Sequence, residues 1–186
     1  LRLPLEITWD NKSSLFPSDF PKEAPTIVSI EEKPFCKICQ KNKDSWLIKT
    51  GKYQIDEMII IPENLKFIIE PETVLNFTDK GGIFSRSPIL ARSVTFKGSK
   101  WKGVTVLNPS LEKSVLQNCL VEGGTGFEIF GMKFTGSFNF ILGTLEISDT
   151  RFQNSLSEDA LNIKWVKAHI SRSQFIKALS EALNIH

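Results

Sequence analysis

The distribution of apolar and polar positions predicts a chain of short strands joined by tight turns. Residues 51–77 read GKYQIDEMIIIPENLKFIIEPETVLNF, in which short β-branched runs alternate with polar residues and break at Pro and Asn. Apolar positions with a period of two, bounded by turn formers, are typical of strands that bury one face. The pattern therefore predicts an all-β fold.

The C-terminal part of the chain repeats one pattern. Residues 145–163 read LEISDTRFQNSLSEDALNI, and residues 168–185 read AHISRSQFIKALSEALNI. Matched positions are 23 residues apart (170 − 147), then 22 apart (185 − 163) after one residue is lost from the turn: Ile147 with Ile170, Thr150 with Ser173, Phe152 with Phe175, Leu161 with Leu183, and Ile163 with Ile185. The same frame upstream aligns Leu116 with Ile147, Cys119 with Thr150, Val121 with Phe152, GFEI (126–129) with ALNI, and GVTV (103–106) with GFEI.

A period of this length fits a coil of three short strands, because each strand residue advances about 3.3 Å. Stacked coils pair each strand in parallel with its copy about 4.8 Å away, so like residues lie over like residues. We therefore predict a right-handed parallel β-helix, a solenoid, over residues 47–186. Cys119 is expected in a column of small inward residues at a turn. The inner columns are expected to bury Ile147, Phe152, Ile163, Ile170 and Phe175.

One coil is longer than the others. Ile129 and Ile147 are separated by 18 positions, whereas Ile163 and Ile170 are separated by seven, so an excess of 11 falls within residues 130–143. In the first interpretation the insert folds back and buries its own rings, or forms an irregular coil. In the second, its rings form an exposed platform for a sugar polymer or a partner. The candidate binding residues are Phe130, Phe134, Phe138 and Trp165, the last at another turn.

The first 46 residues do not fit the repeat. They contain Pro4, Pro17, Pro21, Pro25 and Pro34, which exclude a long helix. We expect an extended N-terminal arm or cap that lies on the solenoid or covers its first coil, with LPLEITW and TIVSI as edge strands. The chain opens without an initiator Met, so we expect a processed piece of a longer parent chain.

The end of the chain has two interpretations. In QFIKALSEALNI (174–185) apolar residues recur at helical spacing, which predicts a capping helix. The repeat predicts a further coil instead, and its parent copy carries Asn154 and Ser155, which a helix disfavours. A coil left open there would expose strand edges, so we expect continuation of the coil, a lid, or self-association through the C-terminal end.

The composition narrows the classes of partner and cofactor that the chain is expected to bind. The 23 basic and 21 acidic residues leave a net charge of +2, which gives no electrostatic case for a nucleic-acid partner. No run of about 18 apolar residues is present, so no membrane span is expected. Two His and a single Cys-x-x-Cys are too few for a zinc site, and we expect no metal and no cofactor. Cys36 and Cys39 form either a structural bridge or two plain thiols, and Cys119 is expected to be buried and unbridged.

Two stretches resemble known β-helix proteins. Residues 51–77 resemble the opening coils of right-handed β-helix proteins of the pectin-lyase-like superfamily. SLSEDALNI (155–163) resembles β-helix regions beside CotH-type modules in bacterial surface proteins. The resemblance covers about residues 47–186. It departs at Pro71-Glu72-Thr73, where such proteins carry Pro-Gly-Thr, so we expect Glu72 to be strained or its turn to differ.

The resemblance implies two functional hypotheses. Enzymes of this fold cleave acidic polysaccharides on one face of the coil, with clustered carboxylates and Arg or Lys. The matching candidates here are Asp149, Arg151, Arg172 and Asp159, although Asp149 over Arg172 is more simply explained as an exposed ion pair between coils. The leading hypothesis is a noncatalytic β-helix module of an extracellular or cell-surface protein, a scaffold or a contact surface for polysaccharide or a partner. The alternative is a polysaccharide lyase or hydrolase.

Overall fold

A computed structural model describes the backbone of residues 5–9 and the whole of residues 34–110, 112–129 and 131–185. These residues form 21 strands, numbered in chain order, and no helix. Seventeen of the strands build a parallel β-solenoid of about six turns, as the repeat predicts. Each coil contributes one strand to each of three sheets, which we call sheets I, II and III.

Sheet I contains β3 (Ser45–Ile48), β6 (Lys66–Ile69), β9 (Ile89–Arg92), β12 (Lys113–Gln117), β17 (Thr144–Ser148) and the first half of β20 (Lys167–Ile176). Sheet II contains β4 (Lys52–Ile55), β7 (Val74–Phe77), β10 (Thr95–Lys97), β13 (Leu120–Glu122), β18 (Arg151–Gln153) and the second half of β20. Sheet III contains β5 (Met58–Ile61), β8 (Gly82–Ser85), β11 (Val104–Leu107), β16 (Gly136–Ile141), β19 (Asp159–Lys164) and β21 (Glu181–Ile185). Outside the coils lie β1 (Leu5–Trp9), β2 (Gln40–Lys41), β14 (Phe127–Ile129) and β15 (Met132–Phe134).

The inner columns follow the predicted register. Ile147 pairs with Ile170, Phe152 with Phe175, Leu161 with Leu183, and Ile163 with Ile185. In sheet I one buried column runs through all six coils: Ile48, Ile69, Ala91, Leu116, Ile147 and Ile170. In sheet II the Phe152 and Phe175 rings stack with their centroids 5.0 Å apart. Phe175 is only partly buried because it belongs to the last described coil.

The alignment of GFEI was wrong. Phe138 and Phe140, not Phe127 and Ile129, pair with Leu161 and Ile163. Residues 103–106 likewise lie under β16. The strand that completes the fourth coil is therefore β16, whose sequence GSFNFI alternates in the same way as GFEI. A period-two pattern is equally compatible with a coil strand and with a hairpin strand.

The extra residues form an antiparallel hairpin, β14–β15, in which Phe127 pairs with Phe134. The hairpin packs on the outer face of sheet III, where it covers Phe84 and Leu107. The Phe84 and Phe134 ring centroids are 6.2 Å apart. The insert therefore folds back and buries its apolar residues, as the first of the two interpretations expected.

The end of the chain is a coil, so the capping-helix interpretation was wrong. Gln174 continues β20, and β21 pairs in parallel with β19. Lys177 turns the chain between the two strands with φ 54°. A strand is favoured here because it stacks Leu183 and Ile185 on Leu161 and Ile163 of the preceding coil. A helix would not bring these residues into register.

The first coil is covered by residues that precede it. Phe35 forms an antiparallel bridge with Ile60, and β2 pairs antiparallel with β3. Cys36 and Cys39 are joined by a disulfide, which decides between the two predicted states. Cys36 is buried in the core, and Cys39 packs against it. At the other end β1 pairs antiparallel with β20; TIVSI lies outside the described residues.

Candidate functional site

A row of left-handed residues marks the corner between sheets I and II. We call it the corner row: Glu72 (φ 63°), Ser93 (φ 54°), Asn118 (φ 52°), Asp149 (φ 52°) and Arg172 (φ 48°). The backbone N–H groups of the first four residues in the row donate to the next coil, as from Asn118 to the Ser148 carbonyl at 3.0 Å. Asn and Asp adopt positive φ more readily than other non-glycine residues, which suits Asn118 and Asp149 to this position.

A buried column lies directly behind the corner row. The residue after each corner position points inward: Thr73, Val94, Cys119, Thr150 and Ser173. Thr150 Oγ1 accepts from the Cys119 N–H at 3.3 Å and donates to the Ser148 carbonyl at 3.0 Å. Ser173 Oγ accepts from the Thr150 N–H at 3.3 Å. These bonds fix the corner backbone, on which the outward side chains depend for their spacing.

Cys119 is buried and unbridged, as predicted. Burial raises the pKa of its thiol to about 11, because the thiolate would lose hydration there. The Cys119 Sγ lies 3.4 Å from the Gln117 carbonyl oxygen. A neutral, enclosed thiol is a poor nucleophile, so Cys119 contributes packing to this corner.

A groove of about 490 Å³ runs along the corner. One wall is the corner row from Ser93 to Arg172, and the other is formed by outward side chains of sheet II, Arg151 and Gln174 among them. Arg151 and Gln174 occupy the same register position in neighbouring strands. Coil stacking therefore sets polar groups along the groove at intervals of about 4.8 Å.

Asp149 and Arg172 meet across two coils, as the offset of 23 residues predicts. Arg172 Nε donates to Asp149 Oδ1 at 2.7 Å, and Arg172 Nη2 donates to Asp149 Oδ2 at 2.8 Å. The hydrogen bond from Arg172, and then its positive charge, lower the pKa of Asp149. Asp149 is therefore an ionised carboxylate at neutral pH, and both of its oxygens are hydrogen-bonded to Arg172.

Arg151 has a different environment from Arg172. Its side chain is exposed beside the Asp149–Arg172 pair. Among the described residues no carboxylate pairs with it. A guanidinium with its five N–H groups directed into a groove is suited to bidentate recognition of a carboxylate or a sulfate.

Asp159 does not belong to this groove. It is the first residue of β19 in sheet III, and its side chain is 1% exposed. Thr135 Oγ1 donates to Asp159 Oδ2 at 2.7 Å and accepts from Asn162 Nδ2 at 2.8 Å. The sequence interpretation placed Asp159 in a turn near Asp149, whereas the structure places it at the start of β19, with its carboxylate hydrogen-bonded to Thr135 and away from the groove.

The aromatic candidates that the structure describes do not form an exposed platform. Phe138 is 0% exposed in the inner column of sheet III, with its ring centroid 5.2 Å from that of Phe96. Phe134, in the hairpin strand β15, is buried against Phe84 and Leu107 of sheet III. Trp165 is 37% exposed at the corner between sheets III and I, with φ 54°. Phe130 lies outside the described residues.

The sequence prediction missed Asn118 and Gln174 as groove residues. The alignment that places Cys119 with Thr150 also places Asn118 with Asp149, so the corner row was available from the repeat. Gln174 follows Ser173 in the same way that Arg151 follows Thr150. The missing information was that the residue before each small inward residue has a positive φ and points outward.

The described part of the chain contains no cluster of three or more His, Cys, Asp or Glu side chains that could hold a metal ion. It also contains no helix that is long and apolar enough to cross a membrane. Comparison with family models, curated proteins and solved structures found no match to this chain.

Proposed function

We propose that the chain is a noncatalytic β-helix module of a surface or secreted protein, and that the corner groove is its contact surface for an acidic polysaccharide. The observation that carries the proposal is the state of Asp149. Among the described residues that line the groove it is the single carboxylate, and both of its oxygens accept from Arg172. Hydrolysis by general acid and base normally needs two carboxyl groups about 5–9.5 Å apart.

The groove has the chemistry of a binding surface for an extended anionic chain. Arg151 supplies a guanidinium without a carboxylate partner among the described residues, and Gln174 supplies an amide beside it. Asn118 Nδ2 donates to Ser93 Oγ at 3.0 Å, which orders the groove wall in the third and fourth coils. A polymer with regularly spaced carboxylates can contact several coils at once, because the coils themselves are regularly spaced.

Two further features support the surface or secreted setting and the family resemblance. The Cys36–Cys39 disulfide is of a kind that persists in oxidising compartments. The six-turn parallel solenoid is the architecture that the pectin-lyase-like and CotH-associated resemblance implies. Neither feature distinguishes a binding module from an enzyme on the same coil.

A panel of acidic and neutral polysaccharides tests the proposal. Binding is measured by calorimetry, and the same mixtures are assayed for new reducing ends and unsaturated products. We expect an acidic polymer to bind without product formation. Product release would establish the alternative, a lyase or hydrolase, and failure of every polymer to bind would refute the contact function.

The Arg151→Gln variant tests whether the corner groove is the binding surface. We expect it to weaken binding of the acidic polymer about tenfold, which corresponds to about 1.4 kcal/mol for the loss of a charged hydrogen-bonding partner. Lys97→Gln is the matched control, since Lys97 is exposed on sheet II but does not line the groove. Equal losses in both variants would show that net charge, not the groove, determines binding.

A second candidate function, self-association, is favoured by the described C-terminal end. β21 pairs with β19 on one side, and no described strand pairs with its other side. Leu183 and Ile185 are only partly buried, and Leu179 is 70% exposed. An unpaired edge beside apolar surface is a template for strand addition. We infer that a chain of residues 1–186 associates through this edge.

Sedimentation equilibrium tests this second proposal. We expect a mass that rises with concentration and returns to that of the monomer in a Leu179→Lys, Ala182→Lys variant, because edge lysines oppose strand pairing. Leu156→Lys is the control, since Leu156 is also an exposed leucine but lies in the preceding coil. A strictly monomeric unaltered chain at high concentration would refute self-association.

A further inference from the structure

The strand β1 is an addition to the solenoid, not a coil of it. It pairs with β20 in the antiparallel direction, whereas the coil strands of all three sheets pair in parallel. The register places Trp9 with Ala168, Thr8 with His169, Ile7 with Ile170 and Leu5 with Ser173, with an irregularity between Leu5 and Ile7. The contact is therefore β-augmentation, the addition of an extended segment to a sheet edge.

The acceptor edge needs such an addition. β20 is the last coil strand of sheet I, and its other side is occupied by β17. Without β1, the outward N–H and C=O groups of β20 would face solvent above the buried Ala168 and Ile170. The edge thus selects an extended segment, and its buried positions select an alternating pattern of apolar residues.

The sequence of β1 has that pattern. Leu5, Ile7 and Trp9 alternate with Glu6 and Thr8. Ile7 and Trp9 stand at the register positions of the two inner residues, Ile170 and Ala168. Any copy of this chain carries the same segment, so a second copy presents a donor identical to the one that pairs within the chain.

The number of residues between β1 and the first coil is sufficient for exchange. β1 pairs with the sixth coil, whereas Phe35 bridges to Ile60 in the first coil. Twenty-five residues (35 − 9 − 1) connect Trp9 to Phe35. A segment of that length reaches up to about 80 Å, whereas six stacked coils span about 24 Å. The tether is long enough for β1 to reach a neighbouring molecule.

We propose that the outer edge of β20 is a strand-acceptor site whose occupant is β1 of a second copy of this chain, so that two chains exchange their N-terminal strands. Exchange replaces each contact within a chain with the same contact between chains, so it costs little besides association entropy. The tether gives the intramolecular pairing a high effective concentration, and the exchanged dimer is therefore favoured at high protein concentration or after joint refolding. This contact is distinct from the proposed β21 edge.

Engineered disulfides across the Thr8–His169 pair test the proposal. Paired Cα atoms in antiparallel strands lie within disulfide reach. In a Cys119→Thr background, Thr8→Cys protein and His169→Cys protein are mixed, unfolded together, refolded at high concentration and oxidised. We expect a covalent dimer on a nonreducing gel, several-fold above a Thr8→Cys mixture with Gln117→Cys. Gln117 is exposed in sheet I two coils before β20.

The double variant Thr8→Cys, His169→Cys provides the reference. We expect it to close within one chain at low concentration, which confirms the pairing. If it closes but the mixture gives no dimer above the control, exchange is refuted. If neither forms a disulfide, the β1–β20 pairing and with it the proposal are refuted. The adjacent pair, Trp9→Cys and Ala168→Cys, repeats the test if His169→Cys does not fold.

Discussion

At the scale of single residues, the corner between sheets I and II is defined by backbone conformation. Five successive coils place a non-glycine residue at positive φ there, and the residue behind each is small or β-branched and buried. The left-handed conformation turns the chain, and the buried hydroxyls of Thr150 and Ser173 hold the turn by hydrogen bonds. The outward side chains do not hold the turn, so their chemistry is available to the groove that they line.

Glu72 occupies a corner position at positive φ, which favours glycine and, among other residues, Asn and Asp. Its φ of 63° costs a residue with a Cβ about 1 kcal/mol relative to glycine. We expect Glu72→Gly to raise the free energy of unfolding by up to about 1 kcal/mol in chemical denaturation. Lys97→Gly, within β10, is expected to lower it, because glycine weakens a strand. Equal destabilisation in both variants would contradict this account of the corner.

Cys119 is expected to be chemically silent in the folded chain. Its pKa is raised to about 11 by burial, so the thiolate is scarce at pH 8 and the sulfur is enclosed. Under nonreducing conditions Cys36 and Cys39 cannot react, so a thiol reagent reports Cys119 alone. We expect slow labelling of the native chain and rapid, stoichiometric labelling in denaturant. Rapid labelling of the native chain would show that the inner column is open.

The ion pair between Asp149 and Arg172 predicts a pH dependence. The folded-state pKa of Asp149 is lowered, so the stabilisation is complete above the unfolded-state pKa and is lost as pH falls through the folded value. Carbon NMR of the carboxyl group should give a titration midpoint below the usual range for Asp. In Arg172→Gln we expect the midpoint to return to that range. An unchanged midpoint would show that the pair does not persist in solution.

At the scale of elements, the inner columns carry the packing. Ile147 lies between Leu116 and Ile170 in the sheet I column and is 0% exposed. We expect Ile147→Ala to lower the free energy of unfolding by about 2–5 kcal/mol, because the fixed coils on both sides cannot collapse into the cavity. Its neighbour Glu146 is partly exposed and bonded to Lys113. Glu146→Ala should cost less than about 1 kcal/mol, and a loss equal to that of Ile147→Ala would invalidate the assigned faces.

The repeat predicted those elements whose copies share both spacing and residue type. The pairing of Ile147 with Ile170 and the ion pair of Asp149 with Arg172 followed from one offset, because parallel stacking transfers every register position to the next coil. The offset did not identify the sheet III strand of the fourth coil. The hairpin segment GFEI and the coil segment GSFNFI both alternate, and pairing across the Gly131 turn decides between them. Asp159 could not be assigned to a face either, since it follows a turn whose direction the spacing does not determine.

At the scale of the whole molecule, a solenoid has two ends that need separate covers. At the first coil the cover comes from residues 35–41, through the Phe35–Ile60 bridge, β2 and the Cys36–Cys39 loop. At the sixth coil, β1 covers the sheet I edge, and no described strand covers the outer side of β21. Interactions in a stack of coils extend only to nearest neighbours, so the stability of each end depends on its own cover.

The disulfide tests this local dependence. A bridge that closes a loop of four residues stabilises by about 2 kcal/mol in the chain-entropy relation. We expect Cys36→Ser, Cys39→Ser to speed amide hydrogen exchange in the first coil, residues 45–61, because the cover no longer holds Phe35 against Ile60. Exchange in the fifth coil, residues 144–164, should be unchanged, since three coils separate it from the altered end. Mass spectrometry of peptic fragments resolves the two regions within one sample, and Cys119→Thr serves as the matched cysteine replacement away from the end. A uniform increase across all coils would mean that the solenoid opens as one cooperative unit and that the cover stabilises the whole chain.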